Sequence, residues 1–176
     1  MRCFNMSVAG SSGLHYNQLA VQNAVRESTQ HDEVASWRQH VFDVRGFHDP
    51  YRGQYRRRCG YHWGIIDGMA RQTEQVDRLL EQVYNALCGR HPANTLLAFV
   101  CRSGRHRAVA WACIFQRLLQ RWNCPEGYTL SDLFYTKSDF YRLGCRACRE
   151  CSDADDRRED AIDQIGSRWR RLQDLR

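Results

Sequence analysis

Lysine is almost missing from this chain. Lys137 is the only one, so nearly all of the 26 basic residues are arginine. Set against 20 acidic residues, they leave a formal charge of +6 and a pI near 9.0. A moderate positive excess favours polyanionic partners without requiring them. Guanidinium is the better cation for bidentate phosphate contacts and for stacking on bases. A GC-rich coding bias would enrich arginine equally well.

Other absences narrow the field. No apolar segment is long enough to span a bilayer as a helix, and the start carries no secretory h-region, so a cytoplasmic protein without membrane partners is expected. The stretch Met1 to Arg26 has no acidic residue, which keeps an organelle transit peptide open. The sequence has no G-x-x-x-x-G-K-[ST] loop, which excludes nucleotide binding of that type. Nor is there an internal repeat or a long low-complexity tract, which excludes a solenoid. An apolar fraction of 43% argues against global disorder, and 176 residues suffice for one domain with a sizeable core.

The densest information lies between Leu96 and Leu119. Leu96, Leu97, Ala98, Phe99 and Val100 form an unbroken apolar run of strand length, suited to a strand buried on both faces of a mainly parallel sheet. Ala108, Trp111, Ala112, Phe115, Leu118, Leu119 and Trp122 then recur at helical spacing. The loop from Cys101 to His106 therefore leaves the carboxyl end of a strand and opens a helix, which is where α/β sheets bind ligands. A helix start offers unpaired N–H groups and a positive dipole end, and Gly104 permits close backbone approach. Arg102, Arg105 and Arg107 add guanidinium forks, so the segment reads as an anion-binding loop for phosphate. The bland alternative makes Cys101 a small buried residue and the arginines solvated.

Cys101 and Arg107 also stand in C-x5-R spacing, the arrangement with which a cysteine-dependent phosphatase aims a thiolate and an arginine at one phosphoryl group. A helix start flanked by arginines would favour the thiolate. Against this, Val100 stands where such enzymes have histidine, and Ala108 where they have a hydroxyl residue. The general acid would have to be Asp43 or Asp67.

The run Cys101-Arg102-Ser103-Gly104-Arg105-His106-Arg107-Ala108-Val109 resembles the C-G-G-[KR]-H-R-S-V type loop of the RapZ (RNase adapter) C-terminal domain family. His40-Val41-Phe42-Asp43-Val44-Arg45-Gly46-Phe47-His48-Asp49-Pro50 is similar to that family's F-D-V-R-x-x-x-N-P strand and loop. The two motifs occur in the same order at a similar separation, and the resemblance covers Val41 to Trp122. It implies an α/β domain that binds RNA and a phosphorylated small molecule, presents RNA to a nuclease partner, assembles with its own kind, and performs no chemistry or cofactor binding of its own. Carried over, the pocket would involve Arg102, Ser103, Gly104, His106 and Arg107, with Asp49 and Tyr51 from the other loop. Arg102 departs from the family's small hydroxyl residue, Ser103 from a glycine, and Tyr51 from a ligand-facing histidine, which leaves the identity of the small molecule unassigned.

Arg52, Arg56, Arg57 and Arg58 form the densest basic cluster, interleaved with Tyr51, Tyr55, Tyr61 and Trp63. Basic side chains beside aromatics suit single-stranded RNA, and a solvated loop is the alternative. Of nine cysteines, Cys145, Cys148 and Cys151 fall in C-x2-C-x2-C, which could hold a metal if Cys124 supplied a fourth ligand. Adventitious cysteines in an Arg-rich loop explain the same spacing, since structural zinc normally needs four ligands. A metal-stabilised interaction domain is thus a third functional class beside the binding module and the phosphatase.

The organisation expected is a single α/β domain divided into an N-terminal segment (1–39), an α/β core (40–122), and a Cys-rich loop with a C-terminal helix (123–176). Met1 to Val8 could be a strand. Val41 to Arg45 alternates like one, with Asp43 placed to anchor Arg45 or a loop N–H. Val76, Leu79, Leu80, Val83 and Leu87 mark a helix within Met69 to Leu87, ended by Gly89 and Pro92. Ser131 to Leu143 reads as another helix. Ile162, Ile165, Trp169 and Leu172 predict an amphipathic terminal helix whose acidic beginning and basic end suit its dipole.

Overall fold

The structure, a computed structural model, describes residues 2–7, 38–49, 58, 60–88, 95–101, 106–122, 134–135 and 155–175. Its elements in chain order are β1 (Arg2–Ser7), β2 (Arg38–Asp43), α1 (Trp63–Ala70), α2 (Thr73–Leu87), β3 (Thr95–Cys101), α3 (Arg107–Arg121), β4 (Phe134–Tyr135) and α4 (Asp155–Asp174). The fold is a small α/β arrangement in which β2, β3, β1 and β4 lie side by side, every pairing parallel.

β3 sits between β2 and β1, and each of its seven residues is buried. This is what a near-continuous apolar run produces in a parallel sheet covered on both faces. Alternation places Leu97, Phe99 and Cys101 on one face, where they join the main core, and Leu96, Ala98 and Val100 on the other. The β2 ladder continues past the strand end, with Val44 N–H donating to the Val100 carbonyl at 2.9 Å. The carboxyl ends of β2 and β3 are thereby held level.

All four described helices contribute to the core on the Leu97 face. A chain of aromatic rings runs through it, from Phe42 to Phe99 (5.5 Å), Phe115 (5.2 Å), Trp169 (5.8 Å) and Tyr84 (5.6 Å). It joins β2, β3, α3, α4 and α2 through rings that together bury a large apolar area. α3 carries the expected stripe, with Ala108, Trp111, Ala112, Phe115, Leu118 and Leu119 buried.

The expected helix within Met69 to Leu87 is two helices. It breaks at Arg71 and Gln72 because α1, capped by the His62 ring accepting from Gly64 N–H, ends at Ala70 before α2 starts. α1 buries Ile65, Ile66, Met69 and Ala70. Within the expected helix over Ser131 to Leu143, the described pair Phe134 and Tyr135 instead extends the sheet as β4, paired with Phe4 and Asn5. Pairing with β1 decides that stretch, since helical spacing of a few apolar residues cannot exclude a short strand.

α4 lies across α1, α2 and α3 with Ala161, Ile162, Ile165 and Trp169 in the core. Its charges pair across the helix interfaces. Arg121 meets Glu159 at 2.5 Å and Asp163 at 2.6 Å, while Arg168 meets Asp77 at 2.7 Å and donates to the Thr73 carbonyl. Gly166 allows the close approach to Trp122, because a β-carbon there would lie 2.2 Å from the indole. None of the described helices is long and apolar enough to cross a membrane.

Candidate functional site

Three segments meet at the carboxyl ends of β2 and β3: the loop after β2, the approach to α1, and the start of α3. α3 begins at Arg107 with His106 as its N-cap, without a side-chain cap and without an acidic residue in its first turn. Its opening amides and positive dipole end therefore face a region where anionic groups are stabilised. One amide is taken, as Ala108 N–H donates to Cys101 Sγ at 3.4 Å.

Arg107 reaches back across the sheet end. Its Nη1 donates to the carbonyls of Arg45 (2.6 Å) and Phe47 (2.8 Å), and its Nε lies 3.8 Å from Asp49 Oδ2. With a side chain only 12% exposed, it straps the loop after β2 to the helix start. Gln72, in the break between α1 and α2, holds the same loop by accepting from His48 N–H (2.6 Å) and donating to the His48 carbonyl (2.9 Å). Phe47 is buried against Trp111, centroids 4.8 Å apart. The loop is thus fixed at 45, 47 and 48, immediately before Asp49.

His106 joins the other two segments. Its Nε2 lies 2.9 Å from the Arg58 carbonyl, which can only accept, so Nε2 carries a proton. Its Nδ1 faces Asp49 Oδ1 at 3.5 Å, with the ring 2% and Asp49 28% exposed. Gly60 makes the arrangement possible, since a β-carbon there would lie 2.1 Å from the His106 carbonyl and 2.5 Å from Ala110 N.

Asp43, at the end of β2, accepts from Arg45 through the backbone N–H (2.9 Å), Nε and Nη2 (2.5 Å). Burial alone would push its carboxyl up, but the Arg45 hydrogen bonds, with the Arg45 and Arg107 charges, outweigh burial and hold it below the ordinary carboxylate range. Asp43 is therefore an ionised strut and poorly suited to donate a proton. Asp67, on α1, is paired at 2.9 Å with Arg71, just past the end of that helix.

Among the residues singled out in the sequence, the structure brings Asp49, His106 and Arg107 together and sets Cys101 beside the first turn of α3, 1% exposed. Of the basic cluster, Arg58 meets the site through its carbonyl. Tyr61 and Trp63 lie under arginines of α4, with Arg158 over Tyr61 at 4.0 Å and Arg157 over Trp63 at 5.1 Å. Tyr51, Arg52, Arg56, Arg57, Arg102, Ser103, Gly104, Arg105, Cys145, Cys148 and Cys151 lie outside the described residues. Among the described residues, no three His, Cys, Asp or Glu side chains converge as a metal site.

Gln72 and Gly60 escaped the sequence reading. Gln72 carries no motif, and only the helix break reveals its place. Gly60 stood among arginines and aromatics, where it reads as one more turn residue. No family model matches the chain, and neither a curated protein nor a solved structure matches it.

Proposed function

We propose that this protein is a binding module that recognises phosphate groups, from RNA or from a phosphorylated metabolite, through the loop from Cys101 to Arg107. The observation that carries the reading is the start of α3. A 15-residue helix opens at the carboxyl end of a central parallel strand, free of acidic residues in its first turn and flanked by His106 and Arg107. Strand ends of this kind are where open α/β sheets take ligands, and helix starts stabilise phosphate. Arg102 and Arg105 belong in sequence to the segment between β3 and α3.

The likeness to the RapZ C-terminal family rests on the two motifs, whose segments meet through Asp49, His106 and Arg107. It supports RNA as the polyanion, with a nuclease and a second copy of the chain as further partners. Beside this stands the cysteine-phosphatase reading. The amide from Ala108 to Cys101 Sγ favours it, and the engagement of Arg107 by two carbonyls opposes it.

Arg107→Ala is a poor test, because it would also release the loop after β2. The informative variants are Arg102→Ala and Arg105→Ala, assayed for binding to a structured RNA and to a sugar phosphate at two salt concentrations. Each lost phosphate contact should weaken RNA binding and lower the salt slope by about one. Binding unchanged in both variants would remove the loop from the account.

A further inference from the structure

Gln72 sits in the joint between α1 and α2 and is tied to both. Its own N–H donates to the Met69 carbonyl at 3.2 Å, and its carbonyl accepts from Val76 N–H at 2.9 Å. A side chain rooted there is carried by two helices at once. Its amide is used in full: Oε1 accepts from His48 N–H at 2.6 Å, and the two hydrogens of Nε2 go to the carbonyls of His48 and Gly68, each at 2.9 Å. Turning the amide over would set Nε2 against an N–H and Oε1 against two carbonyls, so the chemistry allows one orientation.

The loop contacts of Gln72 and of Arg107 meet on a single peptide unit. The N–H of His48, held by Gln72, and the carbonyl of Phe47, held by Arg107 Nη1 at 2.8 Å, are the two ends of one planar group. Because the group is planar, neither end can rotate without the other. Arg107 takes its second carbonyl, that of Arg45, with the same Nη1 at 2.6 Å. Among the described residues Nη2 is left without a hydrogen bond, on a guanidinium whose place the two carbonyls set.

We infer that Gln72 is a positioning residue of the anion site: it fixes the plane of the Phe47–His48 peptide, the plane aims the Phe47 carbonyl, and the carbonyl aims the guanidinium of Arg107 at the start of α3. The inference rests on the phosphate-binding reading above and adds to it the residue that prepares its arginine. A guanidinium held in place before the ligand arrives loses less freedom on binding, which raises affinity without a new contact. Gln72 acts through Arg107 and needs no contact with the ligand.

Gln72→Met keeps the length of the side chain and removes its amide, and Gln72→Ala removes both. Wild type and the two variants are titrated with inorganic phosphate by calorimetry at constant ionic strength. Gly166→Ala is titrated beside them, since its strain falls on the joint of α4 with Trp122 and on neither the loop nor the start of α3. Side-chain 15N spectra of Arg107 are recorded on the same samples. Both Gln72 variants should bind phosphate about three- to tenfold more weakly than wild type, while folded Gly166→Ala keeps the wild-type affinity. The Arg107 guanidinium, with separate and slowly exchanging Nη signals in wild type, should give averaged ones in the Gln72 variants. Wild-type affinity in both Gln72 variants would overturn the inference. So would an equal loss in Gly166→Ala, which would reduce the effect to general stability. Absence of binding in all four proteins would overturn the phosphate reading; unaltered Arg107 signals would then overturn the positioning role as well, and averaged ones would uphold it.

Discussion

His40 and Asp43 lie on the same strand, and both are set to lose stability when protonated. Burial first, and the nearby Arg38 charge second, hold the His40 imidazole below the ordinary histidine value of 6.5. The folded state therefore resists the proton that the unfolded chain accepts. Stability is full above pH 6.5 and declines as pH falls through the folded-state value. Asp43 follows the same sign at lower pH, its contribution present above 3.8 and lost as pH falls through its depressed value. Because the Asp43 side chain is 45% exposed, solvent screening limits the effect of its ion pair to less than about 1 kcal/mol. Urea unfolding of wild type and His40→Gln at pH 7.5 and 5.5 isolates the histidine, since its other contributions cancel in the comparison. Wild type should lose more stability on acidification than the variant, and parallel losses would remove His40 from the account. Strand alternation left Asp43 open as an anchor for Arg45, an anchor for a loop N–H or a functional acid, and the structure holds it on Arg45. The meeting of Asp49 with His106 was implied by the resemblance, which placed both in one pocket, and by no local pattern, since none reports a meeting of residues so distant in sequence.

The helices divide into those whose burial pattern is written plainly and those defined by their neighbours. α3 and α4 follow from apolar residues at helical spacing, and β3 from its unbroken run. α1 was illegible because eight residues containing Gly64 and Gly68 give little periodicity, and because the aromatic and basic residues before it suggested a loop. Its burial against α4 is what makes it a helix. The charges of α4 had a sufficient explanation in its dipole, yet Glu159, Asp163 and Arg168 pair with α3 and α2. At this scale one tight joint is Gly166 under Trp122, an indole that also lies near Arg121 and Arg170. Gly166→Ala forces a methyl group into the ring. Although alanine is the better helix former, the variant should be destabilised by about 1 to 3 kcal/mol in urea or thermal unfolding. A neutral or stabilising effect would mean that α4 docks less closely than described.

Taken as a whole molecule, the fold gathers its polar apparatus at one end of the sheet. The level carboxyl ends of β2 and β3, the strap of Arg107, the clamp of Gln72 and the Arg58 carbonyl on His106 leave the start of α3 facing Asp49. A pocket lies between α2 and the end of α4, lined by Asp77, Arg168, Arg171, Leu172 and Leu175, with Arg168 paired to Asp77. It is the place against which the binding of an added anion at the proposed site is compared. Amide chemical shifts distinguish the two directly. In a titration of the 15N-labelled protein with inorganic phosphate at constant ionic strength, the amides from Arg102 to Ala110 and of Asp49 should shift together along one saturable curve. Shifts centred on Arg168 and Arg171, or unsaturable shifts spread over the surface, would contradict an anion site at the start of α3.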